Sequence, residues 1–193
     1  MIEWMTALST WDSIRAFGVI SYVLFSFAVC VGIMCGIPVW NEPAKRSLLC
    51  VHRGASAAGA AIGLLYGAAA AAGGSPSSWE EALIPFAAKN EPFVTGLGML
   101  ASYGMIVILF STDIRGKMGK RAWRTAHLLP YPIWVMTLVH GFSAVADSGS
   151  HHIRFLYMFS AVSVLSVTML RLSIHPASHK TVTKQRRSIR RQD

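Results

Sequence analysis

The sequence predicts an all-α membrane protein, a bundle of five transmembrane helices with the N-terminus outside and the C-terminus in the cytoplasm. Three observations predict it. Hydrophobic residues make up 53% of the chain and charged residues only 14%. That is too apolar for an ordinary soluble domain, and the apolar residues are bunched into blocks. Five blocks almost free of charge, at 14–37, 47–72, 93–112, 126–146 and 153–170, approach or exceed the about 20 residues that carry a helix across a bilayer; none alternates with the two-residue period of a barrel strand. Finally, all but Arg15, Lys89 and Arg154 of the 18 Lys and Arg residues fall in or beside the first loop, in the third loop, or in the tail. Basic residues collect on the cytoplasmic side of membrane proteins, so three segments agree on one orientation. The same asymmetry accounts for the formal net charge of +9 without nucleic acid as a partner; the partner it implies is membrane lipid, with the basic tail against anionic headgroups.

Helix 1 opens at TWDSIR, where Thr10 or Asp12 can cap it and Arg15 can reach the outer headgroups, and stops at Pro38. It lacks the basic leader and small-residue cleavage site of a removable signal peptide. Helix 2, HRGASAAGAAIGLLYGAAAAAGG, is almost all Gly and Ala. Loop 2 contains SSWEEALIPF, in which Ser78 and Glu81 fit a capping box; this segment reads as a short surface helix, a lid, or an ordinary loop. Helix 3 (FVTGLGMLASYGMIVILFST) and helix 5 (IRFLYMFSAVSVLSVTMLRL) read as scaffold. Cys30, Cys35 and Cys50 fall in apolar segments with no CxxC pair and read as small buried hydrophobes.

Helix 4 poses the functional question. RTAHLLPYPIWVMTLVHGF carries two histidines in a stretch otherwise suited to lipid. Ionisable residues inside membrane segments are costly and mark functional sites. The candidates are His52 and Arg53 near the start of helix 2, and His127 and His140 in helix 4. Both helices run from inside to outside, so His52 and His127 share the inner leaflet, and His140 lies about 20 Å further out at 1.5 Å per residue. On helix 2, Gly59 and Gly63 fall about 20° to either side of the His52 direction. A histidine beneath a glycine strip suits a flat ligand bound at its metal and packed on bare backbone, and haem held by two imidazoles is such a ligand. Tight helix packing is the other role for such glycines, and a hydrogen-bonded polar residue or a proton relay is the other role for the histidines. Zinc fits less well, because no Cys, Asp or Glu adds a third ligand at that depth.

HRGASAAG at 52–59 and RAWRTAHLLPYPIWVMTLVHG at 121–141 resemble the ferric-reductase-like transmembrane domain. That superfamily includes ferric reductases, NADPH oxidases and the haem-binding membrane subunit of the bacterial methionine sulfoxide reductase system. The W-R-x-x-H-x-L-x-Y pattern around His127, with a second histidine at 140 ahead of Gly141, carries the resemblance, which covers about residues 14–171. It implies that residues 1–172 form a haem-binding transmembrane domain; residues 173–193 read, from their own charge, as a disordered basic cytoplasmic tail. It implies haem b, one or two, with iron bound by His52 and His127 at the inner site and by His140 at an outer one. The resemblance implies electron transport across a cell membrane of the bacterial inner type, as the haem-bearing component of an oxidoreductase. Two-haem members carry a histidine where this chain has Tyr66, so an outer haem would take His151 or His152 as its second ligand. Arg53 and Arg124 stand beside the inner ligands as candidates for the propionates, and Arg15 and Arg154 are weaker candidates for an outer haem. Family members often have six helices, and this chain keeps five. Residues 173–193 are too few for a flavin- and nicotinamide-binding domain, so a flavoprotein or quinol donor and the acceptor are expected on separate molecules.

Two other readings compete: a transporter or channel in which the histidines relay protons, and a structural membrane subunit without cofactor. The first needs an ionisable path through the bundle, which helices 3 and 5 do not offer. A difficulty stays within the favoured reading. In a straight helix His140 would point about 140° away from His127. Pro130 and Pro132 offer a resolution, because proline suits a first turn and would place His127 in a turn before the regular helix.

Overall fold

The structure, a computed structural model, describes residues 10–72, 79–146 and 151–189. They form helices α1 (Thr10–Cys35), α2 (Glu42–Ala72), α3 (Trp79–Leu83), α4 (Pro92–Asp113), α5 (Lys120–Ala126), α6 (Pro130–Ala146) and α7 (His151–Ile189). A single 3-10 turn at Ile114–Gly116 follows α4, and no strand occurs among the described residues. Among the described residues, four helices are long and apolar enough to cross a membrane, over Ser13–Cys35, Glu42–Ala72, Pro92–Gly116 and His151–Ile174. The fifth expected span, α6, has 17 residues and is about 25 Å long, so it is the short member of the set.

Local chemistry explains the boundaries. Past Cys35 the chain leaves α1 through a turn in which the Gly36 and Ile37 amides bond back to Ile33 and Met34. The Trp40 indole donates to the Met34 carbonyl at 3.0 Å, and the Arg171 guanidinium packs on Gly36, placing positive charge at the helix C-terminus. Helix α2 starts earlier than the apolar block suggests. Asn41 Oδ1 accepts the Ala44 amide at 3.0 Å, with Glu42 in the first turn and Pro43 behind it, an N-terminal signature carried by polar residues. Helix α4 begins with Pro92 at its first position.

Helix α1 is the hub. It packs along α2 and also touches α6 and α7, while α4 and α6 form a second antiparallel pair. The buried core draws Tyr22, Phe25, Val29 and Ile33 from α1, Ile133 and Trp134 from α6, and Tyr157 and Val164 from α7. Polar groups inside it are paired. Trp134 Nε1 donates to Ser26 Oγ at 2.9 Å, and the Tyr22 hydroxyl bonds Ser160 Oγ. Large apolar side chains such as Phe17, Phe27, Phe110, Phe155 and Leu165 point outward, as lipid-facing positions do.

The structure bears on three expectations here. The α3 segment is a five-residue helix tied down by the Tyr103 hydroxyl on the Leu83 carbonyl and by the Lys89–Glu81 ion pair at 3.6 Å; Ser78 lies outside the described residues. Cys50 is exposed and only Cys30 and Cys35 are half-buried, because Cys50 occupies the outward side of α2. Helical backbone runs on to Ile189, through residues assigned to a disordered tail.

Candidate functional site

His52 sits in the first third of α2 and is oriented by α1. Its Nδ1 lies 2.9 Å from the Ala28 carbonyl oxygen. A carbonyl only accepts, so Nδ1 carries the hydrogen and Nε2 keeps its lone pair, as in a metal-ligating histidine fixed by a backbone partner. The ring rests against Gly32, where an added Cβ would come within 2.9 Å of His52 Cε1. Glycine there is what allows the imidazole to stand upright between the helices.

His127 reaches the same level by a different route. It caps α5 with φ −76° and ψ 1°, and its amide bonds the Trp123 carbonyl at 2.9 Å. Leu128 and Leu129 continue as a turn, and α6 begins at Pro130 with Pro132 also in its first turn. Both prolines therefore sit where a helix has no amide partner to lose. The turn before a new helix is the expected resolution of the phase conflict. It swings His127 towards α2, as the regular helix swings His140.

The two rings face each other with centroids 6.1 Å apart and planes inclined at 81°. An imidazole nitrogen lies about 1.1 Å from its ring centre and about 2.0 Å from a bound metal, so two imidazoles on opposite sides of one metal put their centres about 6.2 Å apart. Helix α2 makes its seams with α1 and, less extensively, α4; it has none comparable with α6. The histidines thus approach across a gap between helices rather than within a seam. Among the described residues no three or more His, Cys, Asp or Glu side chains cluster, so the donor set is this pair of imidazoles.

A second tier lies towards the other end. The Tyr66 and His140 rings are 6.5 Å apart at 64°. His140 Nδ1 lies 2.8 Å from the Val94 carbonyl oxygen, which fixes the same tautomer as in His52. Each ring again rests on a glycine of a neighbouring helix, Gly18 for Tyr66 and Gly98 for His140. In the antiparallel α1–α2 pair, Gly18 opposes Tyr66 as Gly32 opposes His52; the two glycines are fourteen positions apart in α1, as the two rings are in α2. The glycines of α1 and the aromatic rings of α2 share one register.

Other expected site residues lie elsewhere. Gly59 and Gly63 do not offer bare backbone to a ligand: an added Cβ at Gly59 would meet Leu24 Cβ at 3.2 Å, and one at Gly63 would meet Ser21 Oγ at 2.7 Å. The Ser21 hydroxyl donates to the Gly59 carbonyl at 2.8 Å. These glycines let α1 and α2 close together, the packing role weighed for them above. His151 and His152 are exposed in the first turn of α7; among the described residues neither makes a ring or hydrogen-bond contact with His140, whose neighbour is Tyr66. Arg53 and Arg124 are exposed, flanking the inner pair without a contact to it. What the sequence reading missed is the role of α1 and α4: the Ala28 and Val94 carbonyls and Gly18, Gly32 and Gly98. The fourteen-residue spacing common to the α1 glycines and to His52 and Tyr66 is the signal that could have revealed it. No protein-family model, curated protein or solved structure matches this chain, so the resemblance described above rests on the quoted residues.

Proposed function

We infer that the chain is a haem b membrane protein that carries electrons across a bilayer, with His52 and His127 as the two axial ligands. The observation that carries this reading is the facing pair of imidazoles at a centroid spacing of 6.1 Å, with His52 Nδ1–H donating to a backbone carbonyl. Two further features fit the group. The ligands come from helices without a close seam between them, and a buried indole nitrogen, Trp123 Nε1, lies beside His127 with no acceptor among the described residues. When bound, haem supplies one-electron redox chemistry. The chain's own residues do the rest. Ala28 and Gly32 hold the His52 ring upright, and the α5–α6 turn presents His127.

In this reading all five helices span, with the His52–His127 level at the cytoplasmic end, close to a flavoprotein or quinol donor. The Tyr66–His140 level lies nearer the outer acceptor. With one imidazole only, it favours a single bis-histidine haem per chain. The test is the visible spectrum of protein purified in mild detergent from haem-replete cells. A Soret band that sharpens and shifts on dithionite reduction, with the narrow α band of a low-spin haem, is the expected result; colourless protein overturns the reading.

A further inference from the structure

Trp123 brings to the inner site a hydrogen-bond donor that nothing on this chain accepts. Its indole lies nearly flat on the His127 ring, with centroids 4.8 Å apart and planes 18° apart. The Arg115 guanidinium covers the indole at 4.8 Å. Trp123 Nε1 is buried, yet it has no acceptor among the described residues. The Trp40 and Trp134 indoles differ, donating to the Met34 carbonyl at 3.0 Å and to Ser26 Oγ at 2.9 Å. An N–H taken out of water without an acceptor is costly, so an acceptor absent from the chain itself is called for at this point.

The chemistry of that acceptor is constrained. It lies one helical turn from an axial ligand, because the His127 amide bonds the Trp123 carbonyl. It also lies under the positive field of Arg115, with exposed Lys117, Lys120, Arg121 and Arg124 on the same segment. A carboxylate is acceptor-only, and an N–H bonded to one gains from its charge. Haem b carries two carboxylates on one edge. We propose that Trp123 Nε1–H, with Arg115 beside it, holds a propionate of the inner haem; the proposal rests on the haem reading above. Trp123 thereby has two roles: its ring steadies the His127 imidazole, and its N–H anchors the edge of the macrocycle that this imidazole ligates. Arg53, Arg124 and Arg115 are all exposed, but of the three it is Arg115 that lies over the Trp123 indole.

The two roles separate in Trp123→Phe, which keeps a ring on His127 and removes only the donor. Wild type and variant are each loaded with haem b or with its dimethyl ester, whose propionates cannot be carboxylates, and transfer of the macrocycle to excess apomyoglobin is timed. Loss of haem b from the variant is expected to be about tenfold faster than from wild type, the scale of one hydrogen bond to a charged group. The ester is expected to leave both proteins at one fast rate. Equal rates for haem b from the two proteins overturn the proposal. So does an equal acceleration of haem b and ester in the variant, which would place the effect in ring packing. If the variant does not fold, the indole N–H resonance of Trp123 in the wild type decides: a shift between haem b and ester loading is expected, and its absence overturns the anchor. In all these outcomes the red, bis-histidine protein stands; a protein that takes up no haem at all sinks the proposed function instead.

Discussion

His52 and His127 share a level but not a construction, and the difference sets what each substitution does. His52 is held by a backbone carbonyl on one side and a glycine on the other, so its orientation is built into the α1–α2 pair. His127 is held by the turn before Pro130 and by the Trp123 ring. In the proposed haem site, replacing either by Ala would remove one of two axial ligands, and most haem should be lost in both single variants, read as the ratio of Soret to protein absorbance; full retention in both would mean that other residues bind it. His140→Ala is expected to leave the haem content near one per chain by pyridine haemochrome assay, because its ring meets Tyr66 and not a second imidazole. A wild-type ratio of two that falls to one in His140→Ala would restore an outer haem. Gly32→Val should mimic the loss of His52 without touching it, since even the first side-chain carbon would stand 2.9 Å from the imidazole. The histidines themselves were legible in the sequence, because charge-bearing groups stand out against lipid-compatible residues. Their supports were not, because a carbonyl acceptor and a missing Cβ carry no chemical label until the helices are paired.

At the scale of the elements, the α1–α2 seam decides whether the site exists. Gly59 and Gly63 stand against Leu24, Phe25 and Ser21 of α1, while Gly67 has nothing within 4 Å. Substituting Gly59 or Gly63 by Leu would force the helices apart, at a cost of about 1–3 kcal/mol for overpacking, and would carry the Ala28 carbonyl away from His52. Both variants should lower the thermal midpoint in detergent and lose haem in the same transition, whereas Gly67→Ala should change neither. Unaltered haem binding in Gly59→Leu would show that α1 does not position His52. Most helices could be read from composition, since an apolar block of membrane length is a strong signal. Their true ends were less legible, because the N-terminal turns of α2 and the α5–α6 break are written in Asn41, Pro43, Pro130 and Pro132 rather than in hydropathy. The glycine strip was visible but its partner was not: a phase count on one helix shows that Gly59 and Gly63 share a face, and only the opposing helix shows what that face meets.

For the molecule as a whole, the number of crossings turns on α6. Four helices among the described residues have the length and apolarity to span, and α6, with 17 residues, reaches about 25 Å against a hydrocarbon core of about 30 Å. Its surroundings argue that it crosses. It packs against α4, α1 and α7, and Ile133 and Trp134 are among the most buried side chains. Thinning of the bilayer or the apolar turn at Leu128 and Leu129 can supply the missing length. The ends of the bundle also differ in charge. Arg171 lies on Gly36 at the end of α1, Lys45 and Arg46 stand in the first turns of α2, and Arg115 lies over Trp123, so the basic segments meet at the His52–His127 end. The opposite end holds the Lys89–Glu81 pair. Basic segments stay in the cytoplasm, which predicts that a reporter fused after Asp193 is cytoplasmic and one inserted near position 77, outside the described residues, is external. Those two reporters fix the orientation, and tags at the two termini fix the number of crossings. With five spans, tags ahead of Met1 and after Asp193 lie on opposite sides of the membrane, whereas with four they lie on the same side. Protease accessibility of both tags in sealed spheroplasts should therefore remove the N-terminal tag alone. Removal of both, or of neither, would mean that α6 does not cross.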